Sequence, residues 1–338
     1  MSASKALERT EKTVRRTAQR LIVSVVGQER LIQRLATKPL PEKLMGLIRY
    51  GAPDSDIKPL LEQMATKATP GDLARLYRAV RTTADPESVG RIARMAPMWQ
   101  IMSVKAQPEF STEILTSHAT LYRSALPTGT GPRGMMVCFT DFLDQMFMTI
   151  TRFLMMIGEH PVDMVMLRAP TPGEFGQGVP GLGDTLHGTV QKLSWLLADR
   201  GLKPRAYVGA SVGGLYALRA ALMMGHCNGV SISGRFYRAG SVVRLEGAGP
   251  SFDQLCPCFP AFGVRLHCLY AADETIDCKH AAILQLMRPR ARLYPIKRSG
   301  EHNPFITLGA RRQMASFMAL LAETARGGET TFESMMDG

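Results

Sequence analysis

From residue 134 onward the chain alternates short, almost wholly apolar runs with longer amphipathic ones. This alternation limits the fold more than any other feature. Gly134-Met135-Met136-Val137-Cys138-Phe139-Thr140 and Val162-Asp163-Met164-Val165-Met166-Leu167 are near-continuous apolar runs of strand length. Runs of this kind suit strands covered on both faces. Further strand-like runs fall at 205–208, 228–233, 264–270 and 290–295, with a shorter one at 120–123. Helical periodicity fills the gaps at 144–158, 185–199, 212–224 and 278–287, and again at 304–325. Strands alternating with helices over about 190 residues predict an α/β fold: a mostly parallel sheet with helices on both faces, spanning 106–325.

The first 105 residues read differently. Leu7, Val14, Ala18, Leu21, Ile22, Val25 and Val26 recur at spacings of three, four and seven, which predicts one or two amphipathic helices over 3–36. Pro39 and Pro41 end that pattern. Shorter helices follow at 42–50, 55–67, 71–84 and 86–95. Asp54-Ser55, Pro70-Gly71-Asp72 and Asp85-Pro86-Glu87 supply helix-start chemistry for three of them. The segment 1–105 is therefore an all-helical N-terminal extension. At the other end, 326–338 carries Gly327, Gly328 and a cluster of acids, and reads as a disordered tail.

Charge and cysteine content narrow the classes. The net charge is +12, and residues 1–105 carry 19 Lys/Arg against 10 Asp/Glu. A basic segment of this kind suits an acidic protein or a membrane surface, or is an ordinary solvated helix face. No zinc-finger or RNA-binding signature is present, so no specific nucleic acid is predicted. No run of about 18 apolar residues predicts a membrane span. The charged residues 1–20 do not resemble a signal peptide, and a cytoplasmic protein is expected. The six cysteines include Cys256-Pro257-Cys258, a C-x-C without paired metal-ligand spacing. They are expected to be free thiols, with Cys138 and Cys268 as small core residues.

The strongest chemical signal is Gly209-Ala210-Ser211-Val212-Gly213-Gly214, a G-x-S-x-G pattern set between a strand and a helix. A serine on such a turn has its hydroxyl raised above the sheet edge, and small neighbours let strand and helix approach. A serine hydroxyl is a weak nucleophile and needs a positioned base. Downstream, Cys268-Leu269-Tyr270-Ala271-Ala272-Asp273 runs from a strand into a loop that opens with Asp273. Ser299-Gly300-Glu301-His302-Asn303 is another loop after the last strand. Ser211, Asp273 and His302 thus fall at the carboxyl ends of strands, on the edge where open α/β sheets collect catalytic groups. Asp277 and Glu274 are close rivals of Asp273. His267 sits inside a strand, His226 and His280 on or beside helices, and His187 after a Gly-rich loop.

On these residues, the elbow at 209–213, the acid loop at 270–273 and the Gly-x-His loop at 300–302, residues 130–325 resemble the α/β-hydrolase superfamily. The resemblance implies Ser211 as nucleophile, His302 as base and Asp273 as the acid that orients it. It implies an oxyanion site built from the backbone amide of Val212 and one from Asp141 or Phe142. Many members carry His-Gly or Gly-Gly after the strand that ends here in Phe139-Thr140-Asp141-Phe142, so the second donor departs from the family pattern. The expected activity is that of a serine hydrolase of the esterase type, or of an acyltransferase, acting through an acyl-enzyme on an acyl ester or an acylated small molecule or glycan. No metal or organic cofactor is implied. The rival reading is a non-catalytic binding or scaffold protein on the same fold, with 1–105 as its docking module.

One further motif draws attention. Gly176-Gln177-Gly178-Val179-Pro180-Gly181 matches G-x-G-x-x-G, yet seven residues separate it from the preceding strand, and Pro180 removes an amide from any phosphate nest. It reads as a loop bordering the mouth of the site.

Overall fold

A computed structural model of the chain describes residues 40–49, 52–66, 68–96, 107–128, 132–171, 174–235 and 263–336. Two compact units result. The described residues 40–64 and 72–96 fall in one, and 65–71 with 107–336 fall in the other. The helices expected over 3–36, and Cys256 and Cys258, lie outside the described residues.

The first unit is helical: α1 (Leu40–Arg49), α2 (Asp54–Ala65), most of α3 (Pro70–Thr83) and α4 (Pro86–Met95). Its starts follow the sequence chemistry. The Asp85 side chain accepts from the Ser88 amide at 2.9 Å, and Pro86 occupies the first turn, where its missing N–H costs nothing. Ile57, Leu61, Leu73, Val80 and Ile92 are buried. Arg91 ties α4 to α2 through the Asp54 carboxylate and the Ala52 carbonyl.

The second unit is an eight-stranded sheet. Its strands are β1 (Phe110–Thr116), β2 (Ala119–Ser124), β3 (Gly134–Phe139), β4 (Val162–Leu167), β5 (Ala206–Ala210), β6 (Asn228–Ile232), β7 (Leu266–Ala271) and β8 (Arg292–Ile296). The order across the sheet is β1-β2-β4-β3-β5-β6-β7-β8. β1 and β2 pair antiparallel with their neighbours, and β3 to β8 run parallel. The helices are α5 (Ile150–Ile157), α6 (Leu186–Ala198), α7 (Val212–Met224), α8 (Thr275–Met287), α9 (Pro304–Ala310) and α10 (Met314–Arg326).

The strand period of two sorts the core into two layers. Met135, Val137 and Phe139 of β3 face the layer formed with Leu193 and Leu197 of α6 and Leu218 of α7. Met136 and Cys138 face the opposite layer, with Phe153 of α5 and Phe317 and Leu321 of α10. Both faces of the sheet are therefore covered, which is why its central strands read as continuous apolar runs.

Four expectations need adjustment. β1 was not foreseen: at this sheet edge Ile114 is 76% exposed, so the segment lacks the apolar signature of a buried strand. The helix expected over 144–158 begins only at Ile150, because residues 141–149 wrap around the Asp141 carboxylate and place Asp144 and Phe147 at positive φ. The last helix is two helices, separated by a turn with Arg312 at φ 59°. The tail expected to be disordered is placed through residue 336, with Phe332 and Met335 buried against the second core layer. Those two apolar residues outweigh the glycines and acids around them.

Candidate active site

The turn from β5 into α7 holds Ser211 at φ 51°, ψ −122°. A non-glycine residue there carries strain of order 1–3 kcal/mol, held by its surroundings. The Ser211 amide donates to the Ile232 carbonyl at 2.9 Å, and the Ser211 carbonyl accepts from Gly214 (2.9 Å) and Arg235 (3.1 Å). Glycine is obligatory on both sides. A Cβ on Gly209 would lie 2.1 Å from the Gly213 carbonyl oxygen, and one on Gly213 would lie 2.3 Å from the Phe139 oxygen.

His302 sits in the loop between β8 and α9. Its Nε2 is 2.7 Å from Ser211 Oγ, and its Nδ1 is 2.7 Å from Asp277 Oδ1. The loop is fixed by its next residue. Asn303 caps α9, accepting from the Phe305 amide at 3.0 Å, and donates through Nδ2 to the Phe147 carbonyl at 3.0 Å. The Phe147 ring stands edge-on to His302 at 5.2 Å and 80°. Both ring nitrogens and one ring face of His302 are thus engaged.

The carboxylate beside His302 is Asp277 and not Asp273. Asp273 is exposed, and its amide donates to the Ser299 carbonyl at 3.1 Å. The physical cause is the start of α8. Glu274 caps that helix by accepting from the Asp277 amide at 2.6 Å, which sets Asp277 in the first turn with its side chain wholly buried. The spacing Glu274–Asp277, a helix cap and the residue three beyond it, was the signal that could have found it. Asp277 Oδ2 is sealed from solvent without a hydrogen-bond partner.

The expected oxyanion donors divide. Val212 opens α7, so its amide has no partner within the helix. The Asp141 amide is already spent on the Gln145 carbonyl at 2.7 Å. Asp141 is therefore not available as a donor. Its carboxylate instead accepts from the amides of Leu143 (2.8 Å), Gln145 (3.0 Å) and Phe147 (3.1 Å). Burial pushes its pKa up, and these three amides work against that shift. The charge that looked unhelpful in the sequence is thus turned into its own loop. Phe142, 60% exposed, has an amide that makes no hydrogen bond among the described residues.

The other candidate residues fall elsewhere. His267 is buried in β7 with Nδ1 3.0 Å from the Tyr294 hydroxyl, and burial lowers its pKa to about 4. His280 lies one turn beyond Asp277 on α8, and burial, with Arg235, lowers its pKa to about 4. His187 lines a groove of about 630 Å³ along α6, with Trp195, Met223 and His226. Gly178 and Gly181, at positive φ, belong to a compact turn whose Phe175 and Val179 are buried in the core. Glu274, Asp277 and His302 each place a ligand atom within 4.8 Å of the others. A metal there would compete with the His302–Asp277 bond and with the Glu274 cap. Cys138, Cys227, Cys268 and Cys278 are free. No helix among the described residues is long and apolar enough to cross a membrane.

The strand order, with a serine elbow after β5 and a histidine after β8, defines an α/β-hydrolase-type fold. No family model and no curated protein sequence matches the chain. Among solved structures it is similar to 2,6-dihydroxy-pseudo-oxynicotine hydrolase, at 12% identity over 87% of this chain and 89% of that one, with a TM-score of 0.49. It is similar to dienelactone hydrolase from Anabaena variabilis, at 16% identity over 64% of this chain and 97% of that one, with a TM-score of 0.43. It is also similar to carboxyl esterase 2 from Tuber melanosporum, at 15% identity over 67% of this chain and 89% of that one, with a TM-score of 0.41.

Proposed function

We propose that this protein is a serine hydrolase that cleaves an ester through an acyl-enzyme. The observation that carries the reading is the unbroken chain of 2.7 Å contacts from Ser211 Oγ through His302 to the buried Asp277, on a strained elbow. As Ser211 Oγ attacks the acyl carbon, its proton passes to His302 Nε2. Asp277 holds the imidazole with Nδ1 protonated and stabilises the imidazolium that forms. The amides of Val212 and Phe142 are the donors for the developing oxyanion. Collapse breaks the ester bond, and His302 returns the proton to the departing alkoxide. A water, deprotonated by His302, then releases the acid and restores Ser211. An alcohol in place of water at that step would make the same site an acyltransferase.

Labelling with a fluorophosphonate, followed by peptide mapping, tests this. A single adduct on Ser211, lost in Ser211→Ala, is expected. No adduct on a folded protein would overturn the reading and return weight to a binding role.

A further inference from the structure

We propose that Arg235 is the anion-binding residue of this site, and that the ester cleaved carries a negatively charged oxyanion group, a carboxylate in the simplest case, beside its acyl carbon. The proposal rests on the serine-hydrolase reading above and names its substrate class.

Arg235 is held against the nucleophile by its backbone. After β6 ends at Ile232, the fully buried Ser233 turns the chain at φ 46°. Gly234 then packs so closely on α7 that a Cβ on Gly214 would lie 2.8 Å from its Cα. The next amide, that of Arg235, donates to the Ser211 carbonyl at 3.1 Å. The side chain therefore starts at the carboxyl edge of the sheet, one residue contact from the elbow. Its charge is also felt at the far end of the relay, since it helps to depress the pKa of His280, one turn beyond Asp277.

Among the described residues this cation has no counterion. Arg235 is half-buried, and its Nε is sealed from solvent with no hydrogen-bond partner. No carboxylate among the described residues pairs with it. Two other partly buried arginines do pair, Arg133 with Asp163 at 3.0 Å and Arg200 with Glu113 at 2.6 Å, while Arg123 shares a sealed Nε without a hydrogen-bond partner but lies on β2, away from the elbow. A guanidinium cannot shed its proton to escape desolvation. An anion brought by the substrate removes that cost, and the planar fork of Arg matches a carboxylate. Neutral esters leave it in place.

The test compares kcat/KM for mono-4-nitrophenyl succinate and for 4-nitrophenyl butyrate. The wild type should favour the hemisuccinate. In Arg235→Gln the ratio of the two should fall about 10- to 100-fold, the scale of a lost charge-assisted hydrogen bond, and Arg235→Lys should recover part of it. Fluorophosphonate labelling of Ser211 in Arg235→Gln shows that the variant is folded. An unchanged ratio, or an equal fall on both esters, would overturn the proposal while leaving the hydrolase reading intact. If Ser211 takes no label even in the wild type, the hydrolase reading fails. Calorimetry with succinamate, the unreactive amide analogue, then decides for Arg235. Binding to the wild type that is lost in Arg235→Gln upholds an anion site, and absence of binding overturns it.

Discussion

His302 bonds through Nδ1 to Asp277, whose side chain is wholly buried, while Asp273, four residues earlier, is exposed and contributes only its backbone amide to the neighbouring loop. Asp277→Asn is therefore expected to lower kcat on a 4-nitrophenyl ester by roughly 10³- to 10⁴-fold, because an amide no longer fixes the productive tautomer or stabilises the imidazolium. Asp273→Asn should stay within about twofold, as a surface change remote from the bonded chain does. Steady-state kinetics on both variants checks the assignment, and the reverse ranking would return the role to Asp273.

The contrast between these two aspartates shows where the sequence stops being informative. Ser211 could be located because its surroundings are local: Gly209 and Gly213 are required by backbone contacts within the same turn. His302 followed from its place after the last strand. The acid depends on how α8 begins, and there the Glu274 cap decides which carboxylate is swung inward. Asp141 was ambiguous for a similar reason, since the direction of its carboxylate is set by three amides of a loop that helical periodicity disguised as a helix start. The central strands were legible because both their faces are buried. β1 was not, because at a sheet edge half its residues meet water.

The strain at Ser211 predicts a trade between stability and activity. Ser211→Gly and Ser211→Ala both remove the proposed nucleophile and should abolish turnover. They should differ in stability, because glycine tolerates φ 51° and alanine does not. Urea denaturation should find the glycine variant about 1 kcal/mol more stable than the alanine one, after allowing for the greater freedom of glycine in the unfolded chain. Equal stability of the two would mean that the elbow is unstrained.

The Asp141 carboxylate predicts a loss of a different kind. Asp141→Ala strands the amides of Leu143, Gln145 and Phe147 and releases the loop that carries Phe142 and Phe147. Each amide left without an acceptor costs about 1–3 kcal/mol where water cannot replace it. Chemical denaturation should show a loss of roughly that size or more, and kcat should fall while KM changes little, since the Phe142 amide, the proposed donor to the transition-state oxyanion, is displaced. A variant with wild-type kcat would show that the loop does not position the oxyanion donor.

Buried histidines give the protein an acid limit. His267 is 1% exposed, bonded to Tyr294 and packed against Phe332, and burial lowers its pKa from 6.5 to about 4. Between those values the unfolded chain binds a proton that the folded chain refuses. Stability is then fully present above about pH 6.5 and falls toward pH 4, by up to about 1.4 kcal/mol per pH unit for each such histidine. His280, also lowered to about 4 by burial, acts in the same sense. Asp141, whose pKa burial raises, acts in the opposite sense: its share is present at low pH and declines as the unfolded carboxylate ionises. Replacing His267 with Gln keeps a polar partner for the Tyr294 hydroxyl without a titrating ring. Urea denaturation from pH 4.5 to 7.5 should then show a shallower slope than the wild type below pH 6.5, by up to about 1.4 kcal/mol per pH unit, because one of the depressed histidines is gone while His160 and His280 remain. An unaltered slope would mean that His267 takes up its proton in the folded protein as readily as in the unfolded one.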